Sequence, residues 1–247
     1  MRRFLSTLAA LAICASSAWS QAAPLFSSTY EGEYGSLDIE MVRELRVTGD
    51  QQFELHAKAK SFMASIEERS QFVRQGDALI PNQYHYKRKI FGVKKQEELK
   101  FDWPALQASY FKNGDQEAVT KLSSGMLDPS LYQLQLQTLL ANNPKQAEFT
   151  VQFARRSQVK TYTFAQVGKT PLEVQGTRYQ AIELKRTNDG DKETRLWFIP
   201  KLDYTLAKIE HTEDGDQHSI SLTHYQSSPE ITAFIASQPS RQKAQSE

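Results

Sequence analysis

Phe53-Glu54-Leu55-His56-Ala57-Lys58-Ala59-Lys60 puts its apolar residues on one parity and its polar or charged residues on the other. A period of two belongs to an extended strand with one buried and one wetter face, because successive strand side chains point to opposite sides. Just upstream, Thr48-Gly49-Asp50 supplies residues that reach positive φ at little cost. Before that turn, Leu37, Ile39, Met41, Leu45 and Val47 again share one parity, with Arg43 the only interruption. Two alternating runs joined by a tight turn predict an antiparallel hairpin.

The same grammar extends outward. Turn signals return at Gly76-Asp77, Asn113-Gly114-Asp115, Asn188-Asp189-Gly190-Asp191 and Asp214-Gly215-Asp216. Between them alternate Tyr84, Tyr86 and Ile90, then Phe149, Val151 and Phe153, then Tyr162 and Phe164. Thirteen Phe and ten Tyr fit a sheet, where aromatic rings pack well on the pleated surface. One stretch departs from the pattern. Asp128-Pro129 is the arrangement expected where a helix starts, and Asn142-Asn143-Pro144 closes the segment it opens. Leu131, Leu134, Leu136, Leu139 and Leu140 give that segment a broad apolar face. The expected fold is therefore mainly β with minor α: antiparallel strands and one packed helix around residues 128–142. With no internal repeat and no interdomain linker, residues 23–227 read as one domain. Residues 228–247 read as a tail, with a short helix from Pro229 to Ala236 and a frayed polar end.

The N-terminus suggests an address. Arg2 and Arg3 precede an apolar run from Phe4 to Ala15, and Ser20 and Ala22 set up a cut ahead of Ala23. That order is expected of a cleaved secretory signal peptide over residues 1–22, hence a periplasmic protein with no membrane span after cleavage. Cys14 is the single cysteine and sits inside the apolar run, with bulky Ile13 before it, so a lipoprotein is not expected. A mature chain without cysteine has no disulfide and no thiolate chemistry. Without Arg2 and Arg3 the chain carries 28 basic residues against 29 acidic. That balance argues against nucleic acid as a partner, which calls for a net basic domain.

Several segments carry a family resemblance. They are Tyr30-Glu31-Gly32, Ser70-Gln71-Phe72, Pro81-Asn82-Gln83-Tyr84, Phe101-Asp102-Trp103, Asp128 to Leu134, Gly176-Thr177-Arg178-Tyr179 and, most specific, Arg195 to Tyr204. From about Phe26 to Tyr225 the chain resembles the exported bacterial family catalogued as domain of unknown function 3108. Leu206 stands where that family commonly has proline. The resemblance implies a curved sheet or half-open barrel, akin to periplasmic lipoprotein carriers, whose concave face can hold an acyl chain. That is likeness of fold, and fold does not fix function.

Candidate chemistry is sparse. His211 and His218 would face each other across a hairpin tipped by Asp214-Gly215-Asp216, a weak metal candidate that also reads as a charged hairpin end. No Gly-x-Ser-x-Gly elbow, zinc-protease helix or calcium loop occurs, so no catalytic residue and no cofactor are assigned. Lys87, Arg88, Lys89, Lys94 and Lys95 could meet anionic headgroups, but read first as a solvated strand face. The candidate ligand-binding residues are Tyr84, Tyr86, Trp103, Tyr179, Trp197 and Tyr204, although Trp197 and the turn to Tyr204 read first as core. The expected role is non-enzymatic: binding an apolar or amphipathic envelope ligand, a lipid, or a lipidated or other envelope protein in the concave face. The alternatives are an envelope-polymer hydrolase and a protein-binding assembly factor.

Overall fold

The opening hairpin forms as the alternation requires. Strands β2 (Leu37–Gly49) and β3 (Gln52–Lys60) pair antiparallel, with Leu45 opposite Leu55 and Arg43 opposite Ala57. This computed structural model describes residues 23–34 and 37–236. The proposed leader, Cys14 and the polar tail from Ser237 lie outside the described residues.

Repeating the hairpin builds two meanders. The first consists of β1 (Phe26–Tyr34), β2, β3, β4 (Ala64–Gln75), β5 (Ala78–Ile90), β6 (Val93–Asp102), β7 (Gln107–Lys112) and β8 (Asp115–Lys121). A two-residue strand β9 (Met126–Leu127) and helix α1 (Leu131–Asn142) follow. The second meander is β10 (Glu148–Arg155), β11 (Gln158–Val174), β12 (Thr177–Arg186), β13 (Glu193–Ile199), β14 (Thr205–Glu213) and β15 (Asp216–Ser227). A short helix α2 (Glu230–Ile235) ends the described chain. All strands join one 15-stranded sheet in the order β8-β7-β6-β5-β4-β3-β2-β1-β15-β14-β13-β12-β11-β10-β9. Among the described residues, neighbours are consecutive antiparallel hairpins except at the antiparallel β1–β15 joint and at the parallel β9–β10 pair, which α1 connects.

The sheet is curved and unclosed. Its edge strands β8 and β9 are joined by residues 122–125, and β9 returns to touch β5. A small apolar cluster that includes Leu99, Tyr110, Leu122, Met126 and Ala154 fills the seam between the two wings.

Helix α1 does not lie on the sheet as a lid; the sheet encloses it. Leu131, Leu134, Leu136, Gln137, Thr138 and Leu140 are all buried. Positions 136, 137 and 138 alone span about 200° of the helix circumference. A helix wrapped this way needs its end groups satisfied from within. Asp128 does so at the N-terminus, its Oδ1 accepting the backbone N–H of Ser130 (2.8 Å) and Leu131 (2.9 Å), while Oδ2 accepts the Ser70 hydroxyl of β4.

A second anchor follows β13. One turn of 3-10 helix, Pro200–Leu202, leads into Asp203 and Tyr204, both left-handed at φ 51° and 53°. The Asp203 carboxylate accepts hydrogen bonds from Tyr225 (3.0 Å) and Ser227 (3.1 Å) on β15 and from Thr232 (3.3 Å) on α2. Its carbonyl accepts the Gln137 amide of α1 at 2.8 Å. Phe234 of α2 packs edge-on against Phe53 at 5.0 Å and Phe72 at 6.5 Å. Ile231, Phe234 and Ile235 of α2 belong to the main core.

Two stability tests follow. Asp203→Ala removes an acceptor shared by three hydroxyls and should cost about 2–3 kcal/mol in chemical denaturation, with Asp203→Asn costing less. At Gly32, on the β1–β15 joint, a Cβ would stand 2.0 Å from the Ser219 carbonyl oxygen and 2.7 Å from Ile220 Cα. Gly32→Ala must push two backbones apart, and a loss of about 2 kcal/mol or more is expected by the same measurement.

Candidate functional site

Register partners share a face, so the ladders name the side chains lining the concave side. One row crosses seven strands: Glu97, Tyr86, Glu68, Ala57, Arg43, Ser28 and Tyr225. The next carries Tyr110, Leu99, Tyr84, Ser70, Leu55, Leu45 and Phe26. Arg43, the lone charge on an apolar parity, is thus turned into the core, where it is 2% exposed. Its guanidinium lies 5.8 Å from the Phe26 ring centre, and neither terminal nitrogen has a hydrogen-bond partner among the described protein atoms. Small Ala57 separates it from Glu68 in the row, and the Arg43 charge draws on the Glu68 carboxyl.

Where the first wing meets β10, β11 and α1, a cavity of about 250 Å³ remains. Glu68, Tyr84, Tyr86 and Tyr110 form one wall, Tyr132 comes from α1, and Phe153, Arg155, Arg156 and Tyr162 form the other. The β10–β11 turn, with Arg156 at φ 55°, carries a guanidinium across the seam. Its Nε donates to both oxygens of Glu97, at 3.1 and 3.3 Å. Tyr132 stacks on Phe153 at 5.2 Å and meets Tyr162 edge-on at 5.5 Å, and the Arg186 guanidinium caps Tyr162 at 3.5 Å.

Burial sets the electrostatics here. It pushes the Glu68 carboxyl up, against the Tyr84 hydroxyl, which donates at 2.5 Å, and the charges of Arg43 and Arg155. Tyr84 is pushed well above the usual phenol range by burial and by the Glu68 charge. Burial lifts Tyr132 to about 12 and Asp128 to about 7, the latter against its three hydrogen bonds. Glu97 behaves oppositely: burial is outweighed by hydrogen bonds from Lys95 and Arg156, which hold it below the carboxylate norm. The result is a pocket of aromatic faces with three glutamates, Glu68, Glu97 and Glu98, and two arginines at its wall. Among the described residues its lining includes no serine, threonine, cysteine, histidine or lysine.

Of the six residues singled out from sequence, Tyr84 and Tyr86 line this cavity. Trp103 packs beside it on the seam cluster, its indole N–H donating to the Pro81 carbonyl at 2.8 Å. That bond caps a bulge, for Phe72 pairs with Pro81 and Gln71 with Gln83, leaving Asn82 over. Tyr179 and Tyr204 pack against the main core and Trp197 lies within it, the Trp197 ring covered by the Lys208 ammonium at 4.7 Å. His211 and His218 are direct register partners, and His211 is engaged by Thr194 at 3.0 Å and Glu213 at 3.5 Å. Among the described residues no three His, Cys, Asp or Glu side chains converge as a metal site. Sequence reasoning missed Glu68, Tyr110, Tyr132, Tyr162, Arg155 and Arg156. Tyr110 and Tyr162 carried an alternation signal, but the other four meet only through tertiary wrapping.

A single curved antiparallel sheet rolled around a helix, with a tyrosine-lined seam, defines a barrel-like β protein. The chain belongs to the family described as Protein of unknown function (DUF3108), which it matches over residues 29–221. No curated protein matches the sequence. Among solved structures it is similar to a beta-barrel-like protein of domain of unknown function DUF1849 from Brucella abortus. The TM-score is 0.54 at 8% identity, over 84% of this chain and 100% of that one, a likeness of fold alone.

The Asp128 cap generates a pH test. Its folded pKa of about 7 exceeds the ordinary 3.8, so the folded state holds this proton more tightly than the unfolded chain. Its contribution to stability is therefore largest at acid pH, declines as pH rises from about 4 to about 7, and is flat above. Asp128→Asn keeps the oxygen that accepts both backbone N–H groups and cannot titrate. Denaturation midpoints of the parent should fall relative to Asp128→Asn across that window. Asp128→Ala should lose most at acid pH, about 1–2 kcal/mol or more, and progressively less as pH rises through that window.

Proposed function

We propose that this is a non-enzymatic protein of the bacterial periplasm that binds a small amphipathic envelope ligand in the seam cavity. The observation that carries the reading is the convergence of five tyrosines, Glu68 and Arg155 on one concave pocket. Rings accept a flat or apolar face of a ligand, while the buried carboxyl and the guanidinium orient a polar end. Size favours a headgroup, a sugar-sized unit or a short chain over a whole acyl lipid, since α1 and its leucines occupy the rest of the concavity.

Binding is favoured over turnover because the acidic groups are already engaged. Glu97 is held by Lys95 and Arg156, Glu68 accepts the Tyr84 hydroxyl, and Glu98 accepts the Gln83 amide with Lys100 at 3.5 Å. Two-carboxylate hydrolysis needs a pair free to act on one bond. Export rests on the tripartite N-terminus. No helix among the described residues is long and apolar enough to cross a membrane.

Native mass spectrometry of the protein purified from the periplasm tests the proposal. A stoichiometric small ligand is expected, retained by the parent and lost or weakened about tenfold in Tyr86→Ala, which removes one ring of the pocket. A clean apo mass with no shift on adding envelope extract would count against a ligand carrier. Conversion of that ligand on incubation would overturn the non-enzymatic reading.

A further inference from the structure

The hairpin tips form one rim of the rolled sheet, and two adjacent ones are apolar. At the β3–β4 tip Phe62 is 92% exposed and Met63 49%; at the β5–β6 tip Phe91 and Val93 are each 69% exposed. The tips touch, the Phe91 N–H donating to the Met63 carbonyl at 3.0 Å. Single exposed apolar residues need no explanation, but four on two contacting turns form a patch.

Two further features at the same place run against stability. Phe91 takes φ 48° beside Gly92 at 82°, a turn position where asparagine, aspartate or glycine is favoured and a bulky ring is strained. Directly behind the tips, one cross-strand row reads Lys60, Ser65, Lys89, Lys94. Lys89 and Lys94 are direct partners, and like charges so placed repel. Lys89 and Lys94 are in no ion pair among the described residues, whereas Lys60 pairs with Glu40 at 3.0 Å. Surface exposure, backbone strain and charge repulsion coincide on one sector of the rim; acidic residues flank it, with Asp38 and Glu40 beside Lys60 and, farther along, Asp214 and Asp216 at the β14–β15 tip.

We propose that this sector docks the protein on an anionic phospholipid bilayer. The rings and Met63 enter the headgroup boundary, and Lys89 and Lys94 behind them meet the lipid phosphates. Apolar tips backed by cations are complementary to that surface, which presents negative charge over hydrocarbon. This inference is independent of the seam cavity.

Cosedimentation of the purified protein with phosphatidylglycerol-containing vesicles, against pure phosphatidylcholine vesicles, tests it. Binding to the anionic vesicles should be the tighter and should weaken with salt. Lys89→Gln should reduce it about fivefold, and Lys89→Gln/Lys94→Gln should reduce it further and flatten the salt dependence. Phe62→Ser/Phe91→Asn should reduce it about tenfold or more while leaving the melting temperature equal or higher, because asparagine suits the left-handed position. That pairing separates lost docking from lost folding. Failure to bind anionic vesicles, or equal binding by these variants, would overturn the proposal. So would a concentration-dependent dimer, seen by light scattering, that Phe62→Ser/Phe91→Asn abolishes.

Discussion

Everything in this structure depends on burying a helix terminus. A helix surrounded by its own sheet has no water at its first turn, and orphan N–H groups there would each be costly. The Asp128 carboxyl meets that need from the chain itself, three residues before the helix begins, and its second oxygen takes the Ser70 hydroxyl. One side chain thus ties α1 to the first wing of the sheet. Asp203 does the corresponding work for the second wing, holding β15 and α2 through its carboxylate and α1 through its carbonyl. The sheet curves around α1 because these two anchors grip the helix from opposite sides of the core.

That arrangement decides what the concave face can hold. A half-barrel with an empty interior would suit a long apolar guest, but here leucines of α1 take that volume. What remains is a seam in which aromatic rings from both wings and from the helix meet. Its walls differ in construction. On the first wing the cavity residues are rungs of a continuous ladder, whereas Arg155 and Arg156 come from the end of β10 and the turn after it. The Glu97–Arg156 pair, rather than a backbone ladder, connects the wings beside the cavity.

The β character was legible in the sequence because alternation is local: Phe53 to Lys60 needs no distant partner to declare its faces. The start of α1 was legible for the same reason, since Asp128-Pro129 announces a cap. The enclosure of α1 was not, because Gln137 and Thr138 look like a polar face until the sheet surrounds them. Arg43 seemed an interruption, and its meaning appears only when the register sets Ser28 on one side and Ala57 then Glu68 on the other. Tyr84 and Tyr86 were found by strand parity, whereas Tyr132 and Arg156 reach the cavity through chain reversals that no periodicity encodes. The segments that carry the family resemblance mark backbone singularities: Gly32 at a close approach, Pro81 to Gln83 at a bulge, Asp203 in a left-handed turn. Trp197 and Tyr204 accordingly serve the core beside such a point.

The joint between β1 and β15 bears on how the chain reaches this shape. Every other antiparallel neighbour in the sheet follows directly in sequence, so each meander assembles by short, cheap loop closures. Phe26 and Ser227, however, are partners across nearly the whole described chain. A newly made chain can zip up each half from its own turns, but the halves become one sheet only after the final strand exists. Contacts of such high order are slow to form, and until then β1 presents an open edge. The close backbone approach at Gly32 lies on that ladder, so the longest-range pairing and a strict steric requirement fall on the same pair of strands.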